Sequence, residues 1–188
     1  MKSIIEYSLC VYWGIRPESR EVVADKMAVY LNRLAALDDS FLSWYSQGNK
    51  KSEKYLLQKP FDKDAIALML TTQRTETDHK PMPELGFGFW AWSGMELKFN
   101  ARISAKCGLY TKWLVNSVII SFHRPEFPSM ELMKDIFGVM REVFQPEEGV
   151  ILVDECFISE NGEEEYKDRI LESFGKIDEN GEITINRP

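Results

Sequence analysis

The clearest pattern in the chain lies at 84–122. Leu97, Phe99, Ala101, Ile103, Ala105 and Cys107 alternate with Lys98, Asn100, Arg102, Ser104 and Lys106. A period of two places the first set on one face of a strand and the second on the other. Upstream, Leu85, Phe87, Phe89 and Ala91 alternate with Gly86, Gly88, Trp90 and Trp92, and Ser93-Gly94 reads as a turn. The pair predicts an antiparallel hairpin with one apolar face. Residues 113–122 are apolar on both faces, as a central strand requires.

Around this sheet the periodicity shifts between two and 3.6. Residues 4–13, rich in β-branched and aromatic side chains, predict a first strand. Pro17-Glu18-Ser19 then opens a helix carrying Val23, Met27, Tyr30, Leu31 and Leu34 on one side, to about Leu37. Residues 41–46 predict a strand or extended segment, and 47–52 a polar loop. Asp62 caps a second helix to about Arg74, with Ile66, Met69 and Leu70 inward. A loop at 75–83 follows. Ser129 caps a third helix whose stripe runs through Leu132, Met133, Ile136, Phe137, Met140, Val143 and Phe144. A strand at 150–159, a turn at Asn161-Gly162, a short helix at 166–174 stopped by Gly175, and a hairpin about Asn180-Gly181 complete the chain. Strands cluster instead of alternating with helices. The expected class is therefore α+β, a mostly antiparallel sheet of about five to seven strands with three or so helices in one domain over 1–188.

Composition narrows what this domain can do. At 44% hydrophobic and 12% aromatic, the 188 residues can bury a core without staples. The longest apolar runs fall short of the roughly 18 residues a membrane span needs. Glu6 interrupts the N-terminal apolar segment, where no small-residue cleavage pattern is found, which argues against a secretory signal. Cys10, Cys107 and Cys156 are odd in number, distant and inside predicted strands. They read as buried thiols in the reducing cytoplasm. A net charge of -7 opposes direct nucleic-acid binding and favours a basic partner.

Candidate chemistry is sparse. His79 falls in a loop and His123 at a strand end, and no motif joins either to a cysteine. Paired cysteines, helical histidine pairs and calcium loops are missing, so no metal or cofactor is expected. Gly86-Phe87-Gly88 sits inside a strand pattern, where it suits close backbone approach and not phosphate binding. Two features suggest recognition. Acidic residues gather late in the chain, with Glu160, Glu163, Glu164, Glu165 and Asp168 the candidate partner contacts; a solvated surface is the plainer reading. Trp90 and Trp92 share a parity with Lys98, Arg102 and Lys106. That face either binds a partner or, as the commoner arrangement, lies beneath the first helix.

The segment Tyr12-Trp13-Gly14-Ile15-Arg16-Pro17-Glu18-Ser19 resembles the start of the immunity protein 52 family of bacterial polymorphic-toxin systems. The likeness continues through Trp44-Tyr45, Gly48, Glu84-Leu85-Gly86-Phe87, Trp92-Ser93-Gly94, Cys107-Gly108-Leu109-Tyr110 and Asn116, spanning about 7–149. Ser93 and Gln145 depart from the Asn and Asp expected there, and 150–188 reads as a C-terminal extension. The resemblance implies a non-enzymatic antitoxin that binds a cognate nuclease toxin with a restriction-endonuclease-like domain, delivered to competitors by a secretion system such as type VI. Trp13, Gly14, Arg16, Glu18, Trp92, Gly94 and Gly108 are the family-like positions, read as structural, with Arg16 and Glu18 placed to pair across the strand-to-helix turn. Two other readings stand: an enzyme using Cys107 or Cys156 with His123, and a regulatory module that forms a homodimer through the Trp90/Trp92 face.

Overall fold

In a computed structural model, residues 2–47, 54–72, 80–95, 98–112, 114–123, 128–158, 164–165, 172–177 and 183–185 are described. They form, in chain order, β1 (Lys2–Trp13), α1 (Arg20–Leu37), β2 (Ser43–Gln47), β3 (Lys54–Gln58), α2 (Lys63–Met69), β4 (Thr71–Thr72) and β5 (Phe87–Met95). After these come β6 (Lys98–Cys107), β7 (Asn116–His123), α3 (Met130–Phe144), β8 (Glu148–Ile158), β9 (Glu164–Glu165), β10 (Glu172–Ile177) and β11 (Ile183–Ile185).

All strands join one sheet in the order β11-β10-β8-β1-β7-β6-β5-β2-β3, with β4 on β5 and β9 on β8. Every pairing is antiparallel. The α+β architecture is the expected one. Its sheet is wider than the pattern suggests because β3, β4, β9 and β10, of two to six residues, add to it. Such strands are too short for alternation to announce.

The core lies on one face. Leu9, Val11 and Trp13 of β1 point there with Phe89, Ala91, Ile103, Ala105, Val118, Ile120 and Phe122, all buried. Against them pack Val23, Met27, Leu31 and Leu34 of α1 and Met133, Ile136, Phe137 and Met140 of α3. Ring contacts tie the layers: Trp13 stacks on Phe144 at 5.8 Å, Tyr30 meets Phe144 edge-on at 5.3 Å, and Phe41 lies 6.4 Å from Phe122. Ser129 caps α3 through its hydroxyl, as the sequence indicates. The helix α1 starts only at Arg20, with Ser19 as its cap, so Pro17 and Glu18 precede it instead of opening it.

Several expectations need correction. The second helix ends at Met69, not near Arg74. Thr71 and Thr72 instead pair with Gly88 and Phe87 of β5, where β-branched side chains fit better than in a helix. Ser93-Gly94 is no turn: β5 continues to Met95, with a register shift there that brings Ser93 Oγ to the Ala101 N–H at 3.1 Å. The central strand β7 starts at Asn116, leaving Leu114 and Val115 exposed outside it. Glu172–Ile177 is a strand on β8, so Gly175 lies inside a strand and stops no helix. β10 and β11 pair as the expected hairpin; Asn180-Gly181, Asn161-Gly162, Gly48, Leu97 and His79 lie outside the described residues.

Candidate functional site

Five of the family-like positions meet where β1 hands over to α1. Trp13 is the last residue of β1 and pairs with Asn116, the first of β7. The Asn116 amide donates to the Gly14 carbonyl and accepts from the Leu109 N–H at 3.1 Å, so one side chain ties two loops. The Arg16 N–H donates to the Leu109 carbonyl at 3.1 Å. The Arg16 guanidinium sits 5.4 Å from the Trp13 ring and donates to the Phe144 carbonyl and, at 2.8 Å, to the Gln145 carbonyl. Those are unpaired acceptors at the C-terminus of α3, where a cation is favoured. Gln145 itself has a left-handed φ of 49°.

Arg16 and Glu18 therefore do not form the pair the sequence suggests. Glu18 bonds Lys26 one helical stretch further on, while Arg16 reaches across to α3. A side chain seeking two carbonyl acceptors finds them at a helix end and not on a near neighbour. Gly108 adds the fifth position. Its φ is +81°, and a Cβ there would lie 2.9 Å from the Glu18 carbonyl oxygen. Gly86 is held alike, at φ +77° with a built Cβ 2.4 Å from the Cys107 carbonyl. Close backbone approach is thus the use made of Gly86, as its setting suggests. Gly94 and Trp92 stand apart from this junction, on β5.

The second candidate is the face of the sheet opposite the core. Register places Tyr45, Trp92, Arg102, Ser121, Ser8 and Leu152 in one row across it, and Trp90, Ser104, Ile119, Cys10 and Val150 in the next. The shared parity of Trp90 and Trp92 with Arg102 and Lys106 is as read from the sequence. The covering helix is not: the described helices all pack on the other face, and Trp90 is 41% exposed. Trp92 is buried between Trp90 at 4.8 Å and Tyr45 at 6.1 Å. Arg102 donates to both oxygens of buried Glu6 at 3.1 Å, and Ser8 hydrogen-bonds Ser121 at 2.8 Å. This face is aromatic at one end and internally neutralised in the middle.

The thiols are unsuited to nucleophilic work. Burial first, then the Glu18 carboxylate, pushes the Cys107 thiol up to about 12 against the opposing pull of Lys26 and Arg16. Burial raises Cys10 to about 11, with Glu6 adding to it and a hydrogen bond from Tyr12 opposing it. A buried neutral thiol is a packing residue, because the thiolate is the reactive form. The side chains of Cys156 and His123 fall outside the described residues. Among the described residues, no three His, Cys, Asp or Glu are grouped so as to hold a metal. No helix among the described residues is long and apolar enough to cross a membrane.

Of the acidic positions, Glu164 and Glu165 form β9, opposite Ile158 and Phe157 of β8. Glu160, Glu163 and Asp168 lie outside the described residues.

Compared with known families, the chain matches the immunity protein 52 family over residues 6–162. It belongs to that family. No curated protein matches it. The match takes in β7, β8 and the junction, and β1 from Glu6 onward. The parts played by Arg20, in the first turn of α1, and Glu6, on the helix-free face, escape a sequence reading, because their partners are 47 to 96 positions away. In the sequence Asn116 stands out only through the family resemblance, and its two bonds show what it does.

Proposed function

We infer that this immunity protein neutralises a cognate nuclease toxin, one with a restriction-endonuclease-like domain delivered by a secretion system, by stoichiometric binding in the producing cell's cytoplasm. Family membership carries the reading, because immunity is what the family name states. Two properties support it. The net charge of -7 suits a partner whose cleft must be basic to hold DNA phosphates. The buried, neutral Cys107 weighs against the Cys107 form of the thiol-enzyme alternative. The family-like residues at the β1–α1 junction act as framework, fixing loops that a partner can meet.

Glu160, Glu163, Glu164, Glu165 and Asp168 supply attraction for a basic toxin in this account. The test is protection in cells: the toxin domain encoded beside this chain is expressed with and without it. Survival only in its presence is expected, and death in both cases overturns the reading.

A further inference from the structure

Large apolar side chains left in water are worth tracing when they gather in one place. Ile15, Tyr110 and Val115 are 52%, 51% and 55% exposed, and Leu114 is 36% exposed. They come from two loops far apart in sequence, yet each sits within two residues of a bonded junction position. Ile15 lies between Gly14, whose carbonyl Asn116 holds, and Arg16, whose N–H bonds Leu109. Tyr110 follows Leu109 and donates its N–H to the Glu84 carbonyl at 3.0 Å. Leu114 and Val115 precede Asn116 directly. The four form an apolar tip at the end of the sheet where β1 finishes.

Three observations set this tip apart from the other exposed apolar residues. It is built on fixed parts: the Asn116 fork, the Arg16 clamp on α3 and the positive-φ glycines Gly86 and Gly108. Preorganised apolar anchors lose little entropy on binding. It is edged by acid, since exposed Glu84 adjoins Tyr110 and the Glu147 carboxylate lies 3.6 Å from a Cβ built on Gly14; exposed Lys112 also lies in the loop. An apolar centre with two carboxylates at its edge can meet a basic protein surface. The rival surface, the helix-free face, has its central charges engaged with each other and Trp92 already covered.

We propose that the Ile15–Tyr110–Leu114–Val115 tip is the docking anchor for the basic toxin, a claim that rests on the functional reading above. Glu164 and Glu165 lie elsewhere. β9 pairs with β8 at Phe157 and Ile158, which face Ser3 and Lys2 at the opposite end of β1 from Trp13. At about 3.3 Å per residue, the two ends stand roughly 35 Å apart. The acids can then speed encounter, while the tip governs how long the complex lasts.

The experiment measures association and dissociation rates of the purified toxin domain encoded beside this chain on the full-length protein. Variants are Tyr110→Ala, the pair Ile15→Lys and Val115→Lys, and Trp90→Ala, each checked for an unchanged melting profile. The tip variants are expected to dissociate at least tenfold faster, with Trp90→Ala near wild type. Loss of binding in Trp90→Ala with tip variants unchanged overturns the proposal in favour of the helix-free face. A wild-type homodimer that tip variants convert to monomers, with toxin binding intact, overturns it in favour of a second copy. No binding by the wild-type protein instead defeats the functional reading itself.

Discussion

Gly108 shows how little freedom a single position at the β1–α1 junction has. Its φ of +81° is unfavourable to any side chain, and its Cβ would press on the Glu18 carbonyl at 2.9 Å. Gly108→Ala should therefore cost about 1–3 kcal/mol of stability, read as a lower urea midpoint at unchanged slope. A midpoint matching wild type would show that the loop relaxes freely. The thiols give a second residue-scale expectation. In the unfolded chain they titrate near the ordinary value of 9.0; folded, Cys10 and Cys107 hold their protons to about 11 and about 12. Above pH 9 the folded state then binds more protons than the unfolded one, so stability falls as pH rises. Burial raises Tyr30 and Tyr12 in the same direction from 10.0. Melting temperature should drop steadily from about pH 9 to about pH 11, and less so in a Cys10→Ala, Cys107→Ala variant. An equal drop in both would assign the effect to the tyrosines.

At the scale of elements, Arg20 joins three of them. From the first turn of α1 it donates to the Ala67 carbonyl at 2.9 Å, the Leu70 carbonyl at 2.7 Å and Thr72 Oγ1 at 2.6 Å. Its guanidinium also lies 5.1 Å from the Phe87 ring. It thus closes the C-terminus of α2, steadies the two residues of β4 and touches β5. Arg20→Met should lower stability by about 2–3 kcal/mol and speed amide exchange first in α2 and β4. Uniform exchange across the chain would deny Arg20 this local part. The same segment shows what a sequence can and cannot reveal. The stripes of α1 and α3, the Ser129 cap and the alternation of β6 were plain, because each is set by residues within a turn or a strand of one another. The stop after Met69, the bulge at Ser93 and the start of β7 were not, because Phe87, Ala101 and Gly14 decide them from across the sheet. Likewise the candidate tip was hidden inside an apolar run read as central strand. Leu114 and Val115 look like core until Asn116 is seen to be holding the loop outside.

For the whole molecule, the arrangement separates framework from surface. One face of the sheet is spent on α1, α2 and α3; the other is helix-free among the described residues, and the end of β1 carries the apolar tip. Charge acts at this scale too. If the acids late in the chain draw in a basic toxin, reversing Glu163, Glu164 and Glu165 to Lys together should slow association and flatten its dependence on salt, with dissociation unchanged. An unchanged association rate would leave those residues as solvated surface. The account as a whole is tested most directly by titrating the purified toxin domain with this protein while following DNA cleavage. Cleavage should fall linearly and vanish at one equivalent; cleavage that persists at a large excess of the protein would contradict the account.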